Sequence, residues 1–276
     1  MAILEPQRDN PGTAVELEPL PHVFERTLVI VAHPDDAEYS FGGTVSRLAA
    51  EGVEVTYAIC TDGRLGGEDP TMPGEKIGAT RESEQRNAAE YLGVGEVVFL
   101  GFPDGNLTAS LPLRRELARQ IRRYRPDLVL SHQPLRSLSF PIGASHPDHL
   151  AVGEAALAAV YPDARNPRAF PELLAEGLSA HRVTEVWVPG HEHTDLLIDV
   201  GPHAERKLQA ILKHRSQFVG ASDPRAEISW VLERMRNNGR GIGVDYAESF
   251  KRIVTDSHAS AGPVPYVAEP AAHGSI

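Results

Sequence analysis

The sequence predicts an α/β protein built on a Rossmann-like, mostly parallel sheet, with helices on both faces and an irregular C-terminal extension. Two observations predict this fold. Strand and helix patterns alternate from residue 26 to residue 161. The first strand segment, RTLVIVA, is apolar without the polar alternation of a half-exposed strand, which is typical of a strand buried on both faces of a parallel sheet.

The alternating part contains four predicted strands and four predicted helices. The strands are RTLVIVA (26–32), VEVTYAIC (53–60), EVVFLG (96–101) and DLVLSH (127–132). The helices are 42–52, 77–94, 111–125 and 145–161. Gly52 ends the first helix, Gly93 follows the last apolar turn of the second, and Pro126 stops the third. The connection 61–76 is longer than is usual in compact domains, where such loops are functional or disordered. We expect it and the loop 133–145 to shape the choice of substrate.

The later part of the chain is less regular. It contains two predicted strands, RVTEVWVP (182–189) and TDLLIDV (194–200), and two predicted helices, 202–218 and 223–236. Because no repeat and no linker separate these elements from the first part, we expect a single catalytic domain over residues 23–254. A flexible leader, 1–22, precedes it, and a Pro/Ala-rich tail, 255–276, follows it.

The composition limits the classes of partner. Of the 276 residues 41% are hydrophobic, and the formal net charge is −11. An acidic chain is poorly suited to nucleic acid or to an anionic membrane surface, and no apolar run is long enough to span a bilayer. The leader lacks the apolar core of a signal peptide, and Cys60 has no second cysteine to pair with. We therefore expect a cytoplasmic protein; homo-oligomerisation stays open.

Two histidine–aspartate clusters follow two of the predicted strands. HPDD, 33–36, comes directly after the first strand, and HPDH, 146–149, opens the helix after the fourth. Ligands of open α/β sheets bind at the carboxyl ends of the strands, so we expect both clusters on one rim. Two imidazoles and one carboxylate form a common catalytic zinc set that leaves one position for water.

Each cluster alone also fits a simpler structural reading, since aspartate and serine at strand–helix junctions often cap helices. Both clusters together favour a metal site, because so many titratable groups at one sheet edge are costly unless a cation compensates them. Dinucleotide, Walker and nucleophile-elbow motifs are absent from the sequence. The segment HEH, with His191 and His193, lacks the HExxH spacing, and its role stays open.

The motif AHPDDAE…GGT with the downstream HPDH resembles the zinc-dependent N-deacetylases of the PIG-L/LmbE-like family. Further pieces of this family's pattern occur in the same order, so that the resemblance spans about residues 26–220. They are TDG (61–63), TRESE (80–84), YLGV (91–94), FPDG (102–105), RPDLVLSH (125–132) and KHRSQ (213–217).

The resemblance implies a role for each residue of the two clusters. The implied metal ligands are His33, Asp36 and His149, the implied general base is Asp35, and the implied assisting histidine is His146. Chemistry agrees with this division, because zinc lowers the pKa of a bound water from about 15.7 toward ~7 and a carboxylate off the metal can then take the proton. That carboxylate can later protonate the leaving amine, while zinc and protonated His146 stabilise the oxyanion.

Three further residues are assigned with an alternative beside each. We expect Asp148 to orient His146, although a carboxylate in a first helical turn is also favoured by the helix dipole. Arg81 and Asp104 resemble the family's substrate-contacting positions, and surface ion pairing is the alternative for both. Ser145 and Ala144 depart from the arginine and tyrosine found there in some bacillithiol- and mycothiol-pathway relatives, so the resemblance names no pathway.

The function predicted from these residues is zinc-dependent hydrolysis of the linear amide of an N-acetylated amino sugar or glycoconjugate. A thiol-conjugate amidase with the same chemistry is one alternative. A non-enzymatic sugar- or nucleotide-binding module is another. The ligand set also suits another divalent transition metal, including non-haem iron(II). An oxygenase reaction at such an iron site is the weaker alternative, because it gives Asp35 no role.

Overall fold

The computed structural model describes residues 24–67, 69–140, 142–190 and 193–255; the predicted leader and residues 256–276 of the predicted tail lie outside them. The strands are β1 Arg26–Val31, β2 Glu54–Thr61, β3 Glu96–Phe102, β4 Leu128–Ser131, β5 Glu185–Pro189, β6 Leu196–Asp199 and β7 Ala247–Val254. The α-helices are α1 Asp36–Ala50, α2 Gly74–Leu92, α3 Leu111–Tyr124, α4 Pro147–Ala158, α5 Pro171–Ala175, α6 Ala204–Ile211, α7 Pro224–Glu227 and α8 Ser229–Arg240. In this described part, every helix is too short or too polar to cross a membrane.

All seven strands of the described chain join one sheet in the order β3-β2-β1-β4-β5-β7-β6. β1 pairs in parallel with β2 on one side and with β4 on the other. β3 and β5 extend the parallel part outward, while β7 runs antiparallel between β5 and β6. The predicted fold class, a mostly parallel sheet in an α/β protein, is confirmed.

Alternate side chains of β1 pack into two separate hydrophobic clusters. Val29 and Val31 belong to the cluster that includes α1 and α6, and Leu28 and Ile30 belong to the cluster that includes α3 and α4. All four are fully buried. The unbroken apolar run of this strand therefore follows from helix packing on both faces of the sheet.

β1 and β4 are neighbours, with Ile30 opposite Ser131, and their carboxyl ends lie at one edge of the sheet. The chain continues from β1 to β2 on one side, whereas β4 and β5 build the sheet on the other. This change of direction is a topological switch point, where open α/β sheets leave a crevice for ligands. Both histidine–aspartate clusters follow strands that end at this crevice.

Several element boundaries differ from the sequence prediction. α1 begins at Asp36 rather than at residue 42, because the HPDD turn leads directly into the helix. The predicted helix 202–218 shortens to α6 between two 3-10 turns. β7 was not predicted at all, since its sequence AESFKRIV mixes apolar with charged residues. Its charges are paired in the fold: Arg252 with Glu185, and Lys251 with Asp195.

A buried ion pair joins α1, α6 and β7. Lys207 lies 2.5 Å from Glu248, and both side chains are almost fully buried. The carboxylate of Glu248 also accepts the N–H groups of Gly43 and Thr44 in the middle of α1. A Cβ on Gly43 would lie 3.1 Å from Glu248 and 2.9 Å from the Val200 side chain, so only glycine allows this close approach.

Lys207→Met is expected to lower the free energy of unfolding by about 3–5 kcal/mol, because it leaves the Glu248 carboxylate buried without its cation. Urea unfolding measures this loss. Lys251→Met is the matched control, since Lys251 pairs with Asp195 at the surface, where such pairs contribute about 0–1 kcal/mol. Equal losses in the two variants would contradict the structural role given to the buried pair.

Candidate metal centre

Three predicted ligand residues converge at the carboxyl ends of β1 and β4. His33 Nδ1 lies 3.3 Å from Asp36 Oδ2 and 3.3 Å from His149 Nε2. His149 Nε2 lies 3.0 Å from Asp36 Oδ1. A tetrahedral ion with bonds of about 2.0–2.1 Å would separate its ligands by about 3.4 Å, so this spacing fits one divalent cation.

The second nitrogen of His33 faces two further carboxylates. His33 Nε2 lies 3.1 Å from Asp104 Oδ1 and 3.2 Å from Asp148 Oδ2. An N–H directed at these oxygens leaves the Nδ1 lone pair for an ion, the usual arrangement of a metal-binding histidine. Although burial opposes it, Asp104 and Asp36 raise the pKa of His33 to about 11. The surrounding carboxylates thus favour a positive charge at this point.

The Asp148 carboxylate contacts His33 rather than His146, the residue that the sequence led us to expect; only the Asp148 backbone N–H meets the His146 ring. The carboxylate also accepts the N–H groups of Gly105, at 2.8 Å, and Leu107, at 3.0 Å, and it is almost fully buried. The difference arises because the first turn of α4 directs this side chain into the loop after β3, next to Nε2 of His33. Asp148 therefore orients a predicted ligand of the ion.

Asp35 lies beside the three ligands without joining them. Among the described residues, three groups have ligand atoms close enough together to share an ion, and Asp35 belongs to none of them: His33/His146/His149, Asp36/His132/His149 and His33/Asp104/Asp148. Asp35 Oδ2 lies 3.2 Å from Arg81 Nη2. Burial raises the pKa of Asp35 to about 6, although the charge of Arg81 opposes the rise. A carboxylate with this pKa can accept a proton near neutral pH and release it again.

The adjacent aspartates diverge because of the backbone between them. Asp35 has φ +96° and ψ −27°, a left-handed conformation that residues other than glycine rarely adopt. Asp36 then opens α1, and its Oδ2 accepts the His33 N–H at 2.7 Å. This turn sends the Asp36 carboxylate to His149 and the Asp35 carboxylate to Arg81.

His146 caps α4 and faces the open side of the centre. Its Nδ1 accepts the Asp148 N–H at 3.2 Å, which leaves the proton of a neutral ring on Nε2. Burial and the neighbouring His33 and His149 lower its pKa. A neutral, exposed His146 can therefore donate a hydrogen bond from Nε2, a modification of the protonated form expected from the sequence.

Arg81 and Asp104, predicted to contact the substrate, are both buried against the protein itself. Arg81 donates to Gly63 O at 2.9 Å and to Pro34 O at 2.6 Å. Asp104 accepts the Leu65 N–H at 2.8 Å besides its contact with His33. The described contacts of both residues hold the loops around the ligands in place.

His132 is a site residue that the sequence analysis did not single out. It follows β4 directly, its Nε2 lies 3.2 Å from Asp36 Oδ2, and its ring stacks on His149 at 4.1 Å. Its Nε2 also accepts the Ala32 N–H at 3.0 Å, and burial lowers its pKa to about 4. The sequence feature that could have identified His132 is its position directly after β4, the strand that pairs with β1.

A cavity of about 690 Å³ adjoins the centre on the side of Asp36 and His149. Three aromatic side chains, Tyr39, Phe140 and Trp230, line it beside polar residues, and we call it the aromatic cavity. The rings of Tyr39 and Trp230 are parallel, with centroids 6.0 Å apart. Its volume lies within the range of about 300–1,000 Å³ typical of small-molecule sites.

The HEH segment is the remaining histidine cluster of the sequence. His191 lies outside the described residues, and His193 belongs to none of the three groups whose ligand atoms are close enough to share an ion.

Fold and site together define an α/β protein with a His₂–Asp centre suited to one divalent cation and with a spare carboxylate beside it. The chain belongs to the PIG-L family, whose model, described as GlcNAc-PI de-N-acetylase, matches residues 28–160. The family resemblance inferred from the two motifs is thereby confirmed.

Named relatives agree with this membership. A diacetylchitobiose deacetylase of Thermococcus kodakarensis is 32% identical over 194 residues, 70% of each chain. A probable N-acetyl-α-D-glucosaminyl L-malate deacetylase of Bacillus anthracis is 31% identical over 197 residues, 70% of this chain and 81% of the relative. The solved N,N′-diacetylchitobiose deacetylase of Pyrococcus horikoshii superposes with a TM-score of 0.78 at 29% identity, covering 87% of both chains.

His149→Ala is expected to weaken metal binding by more than about 100-fold, since even residues that only orient a ligand cost about 10–100-fold when replaced. Asp148→Asn should give a loss within that smaller range. Titration of the metal-free protein with zinc measures both. His203→Ala is the control, because its ring bonds to Ser46 on another part of α1. Unchanged affinity in His149→Ala would remove this residue from the ligand set.

Proposed function

We propose that the protein is a zinc-dependent hydrolase that removes the acetyl group from an N-acetylated amino sugar or its glycoconjugate. The observation that carries the proposal is the convergence of His33, Asp36 and His149 beside a carboxylate, Asp35, that stays off the ligand set. The named activities of the relatives, which act on diacetylchitobiose and on N-acetylglucosaminyl malate, support the substrate class.

His33, Asp36 and His149 would hold the ion. A bound zinc ion supplies Lewis acidity, which polarises the amide carbonyl and makes a water acidic enough to attack it near neutral pH. The chain's own contribution is to fix the two imidazoles and the carboxylate in one orientation, through Asp148 and Asp104 on His33 and through the His33 N–H on Asp36.

Asp35 acts as general base and then as general acid. It takes one proton from the attacking water and delivers it to the nitrogen of the amide as the C–N bond breaks. The hydroxyl of the water stays on the carbonyl carbon and its other proton ends on the nitrogen, so the products are acetic acid and the free amine. The acetic acid then ionises to acetate and releases one proton. The salt bridge of Asp35 with Arg81 supports this role, because a carboxylate engaged on that side is kept from coordinating the ion.

His146 stabilises the negative charge that develops on the carbonyl oxygen. Its Nε2–H is free to donate, because Nδ1 already accepts the Asp148 N–H. A preorganised donor of this kind contributes about 10²–10³-fold in kcat. Since the neutral ring suffices, the donor is available on the alkaline side of the ordinary histidine pKa.

The aromatic cavity is the proposed site of the sugar. The apolar faces of a sugar ring fit the exposed Trp230 ring and the half-buried Tyr39 ring, which form one wall. Ser40, Gln133 and Arg234, which also line the cavity, offer polar groups to hydroxyls. The cavity exceeds what the acetyl group needs, which favours a substrate that is large on the amine side.

Asp35→Asn is expected to lower kcat by about 10²–10⁴-fold, the contribution usual for a general base, while bound zinc stays stoichiometric. The assay is release of free amine from a panel of N-acetylglucosaminyl compounds and from one thiol-conjugate amide, each with and without a chelator.

Asp36→Asn is the comparison variant, and it should lose the bound metal as well as the activity. Activity that withstands the chelator, or zinc lost from Asp35→Asn and kept by Asp36→Asn, would contradict the proposal. Amine release from the thiol conjugate alone would favour the amidase alternative.

Trp230→Ala is expected to raise KM for N-acetylglucosaminyl glycosides by about 10–100-fold, because it removes the apolar face against which the sugar ring packs, and burial of a large apolar side chain contributes about 1.5–3 kcal/mol. The value of kcat should change little, since Trp230 contacts no ligand of the ion. Trp230→Phe, which keeps an aromatic face, should restore most of the affinity. Equal KM values in the parent and Trp230→Ala would place the sugar elsewhere.

A further inference from the structure

A chain of three buried polar side chains lies behind Asp35. Gln85 on α2 donates from Nε2 to both oxygens of Glu38, at 2.9 and 3.1 Å. Glu38 on α1 lies 3.1 Å from His214 Nε2, which follows α6. The three side chains are at most 1% exposed. None of them contacts the predicted ligands of the ion or lines the aromatic cavity.

Gln85 ends this chain on the backbone of the predicted base. Its Oε1 accepts the Asp35 N–H at 2.8 Å. The orientation of the amide is fixed, because Nε2 has to face the Glu38 carboxylate and Oε1 is then left for the N–H. Glu38 therefore decides which end of Gln85 meets Asp35.

The peptide before Asp35 is held from both sides by one face of α2. Arg81 Nη2 donates to the Pro34 carbonyl oxygen, and Gln85 accepts the Asp35 N–H. Residues four apart lie on the same face of a helix, so both contacts come from successive turns. They oppose a local cost, because a positive φ is sterically unfavourable at a residue other than glycine.

The far end of the chain is anchored in the segment after α6. His214 is almost fully buried, and although burial opposes it, the hydrogen bond and charge of Glu38 raise its pKa. Two residues on, Ser216 donates its N–H and its hydroxyl to Glu84 of α2, at 2.8 and 2.6 Å. The segment after α6 is thereby connected to the turn at Asp35 by the hydrogen bonds from His214 through Glu38 and Gln85.

We propose that Gln85, oriented by Glu38 and His214, is a positioning residue that holds the backbone of Asp35 in its left-handed conformation. Its effect on turnover rests on the proposed function of Asp35 as the base. Without the Gln85 acceptor the part-buried Asp35 N–H loses its partner, and the turn gains by relaxing toward an ordinary helix start. That relaxation moves the Asp35 carboxylate away from Arg81.

A general stabilising role does not account for the arrangement. Buried polar groups are costly unless all are satisfied, and an apolar replacement of similar volume is often as stable. Here the three side chains are at most 1% exposed, and the hydrogen bond at the end of the chain goes to the N–H of one residue with a positive φ, Asp35. The specificity of that last contact indicates positioning.

The test compares Gln85→Leu, Gln85→Glu, Glu38→Gln and the double variant Glu38→Gln/Gln85→Glu in the zinc-loaded full-length protein. Gln85→Glu keeps an acceptor for Asp35 but sets two carboxylates against each other. The double variant exchanges amide and carboxylate, so that each hydrogen bond of the chain is restored with the same total charge. Gln120→Leu is the control: Gln120 is a buried glutamine on α3 that donates to Glu116.

Two readouts separate positioning from catalysis. Amide hydrogen exchange of Asp35, followed by NMR, should be at least about tenfold faster in Gln85→Leu and Gln85→Glu and should return toward the parent rate in the double variant. Turnover should fall in the same two variants by about 10–100-fold in kcat, the scale of a small misplacement, with KM and zinc content unchanged. The double variant should recover most of that loss, and Gln120→Leu should keep the parent kcat per folded molecule.

The outcomes are distinguishable. Unchanged Asp35 exchange in Gln85→Leu, or a double variant as impaired as Gln85→Glu in both readouts, would overturn the proposal. A uniform drop that follows the folded fraction in Gln85→Leu and Gln120→Leu alike would also overturn it. A parent protein without deacetylase activity would refute the proposed function alone, while the exchange data would still decide the positioning role.

Discussion

The positive φ of Asp35 is the constraint on which the centre depends, because it lets two neighbouring carboxylates point to different places. An ordinary helix start would put residues 35 and 36 on adjacent positions of one turn, and both would reach toward the same cation. The left-handed residue turns the chain so that Asp36 joins His149 and Asp35 meets Arg81. In the proposed mechanism, this strained peptide lets Asp36 bind the ion while Asp35 transfers the proton.

Such a turn needs support from outside, and the fold supplies it from α2. Arg81 and Gln85 hold the two sides of the same peptide, and each is itself buried. The connection between β2 and α2 contributes as well, since the carbonyl of Gly63 accepts from the Arg81 guanidinium. The first residues of this long loop are thereby part of the support for the turn.

Much of the architecture could be predicted from the sequence, because apolar strands and amphipathic helices each leave a local pattern. The meeting of the two clusters also follows from topology, since carboxyl ends of adjacent parallel strands share a rim. What the sequence could not give depends on long-range contacts. The contact of Asp148 with His33, the stacking of His132 on His149, and β7 with its paired charges each involve residues far apart in the chain.

In the proposed function, the residues that carry out the hydrolysis and the residues that select the substrate lie in different parts of the chain. Membership of the family therefore indicates the reaction but does not identify the substrate. The predicted ligands, base and oxyanion donor all lie before residue 150, within the segment that the family model matches. The aromatic cavity, in contrast, takes Pro189, Trp230 and Arg234 from the later half. Because those residues contact no ligand of the ion, they can vary without disturbing the hydrolytic centre. Relatives with different amino-sugar substrates are the expected result of that separation.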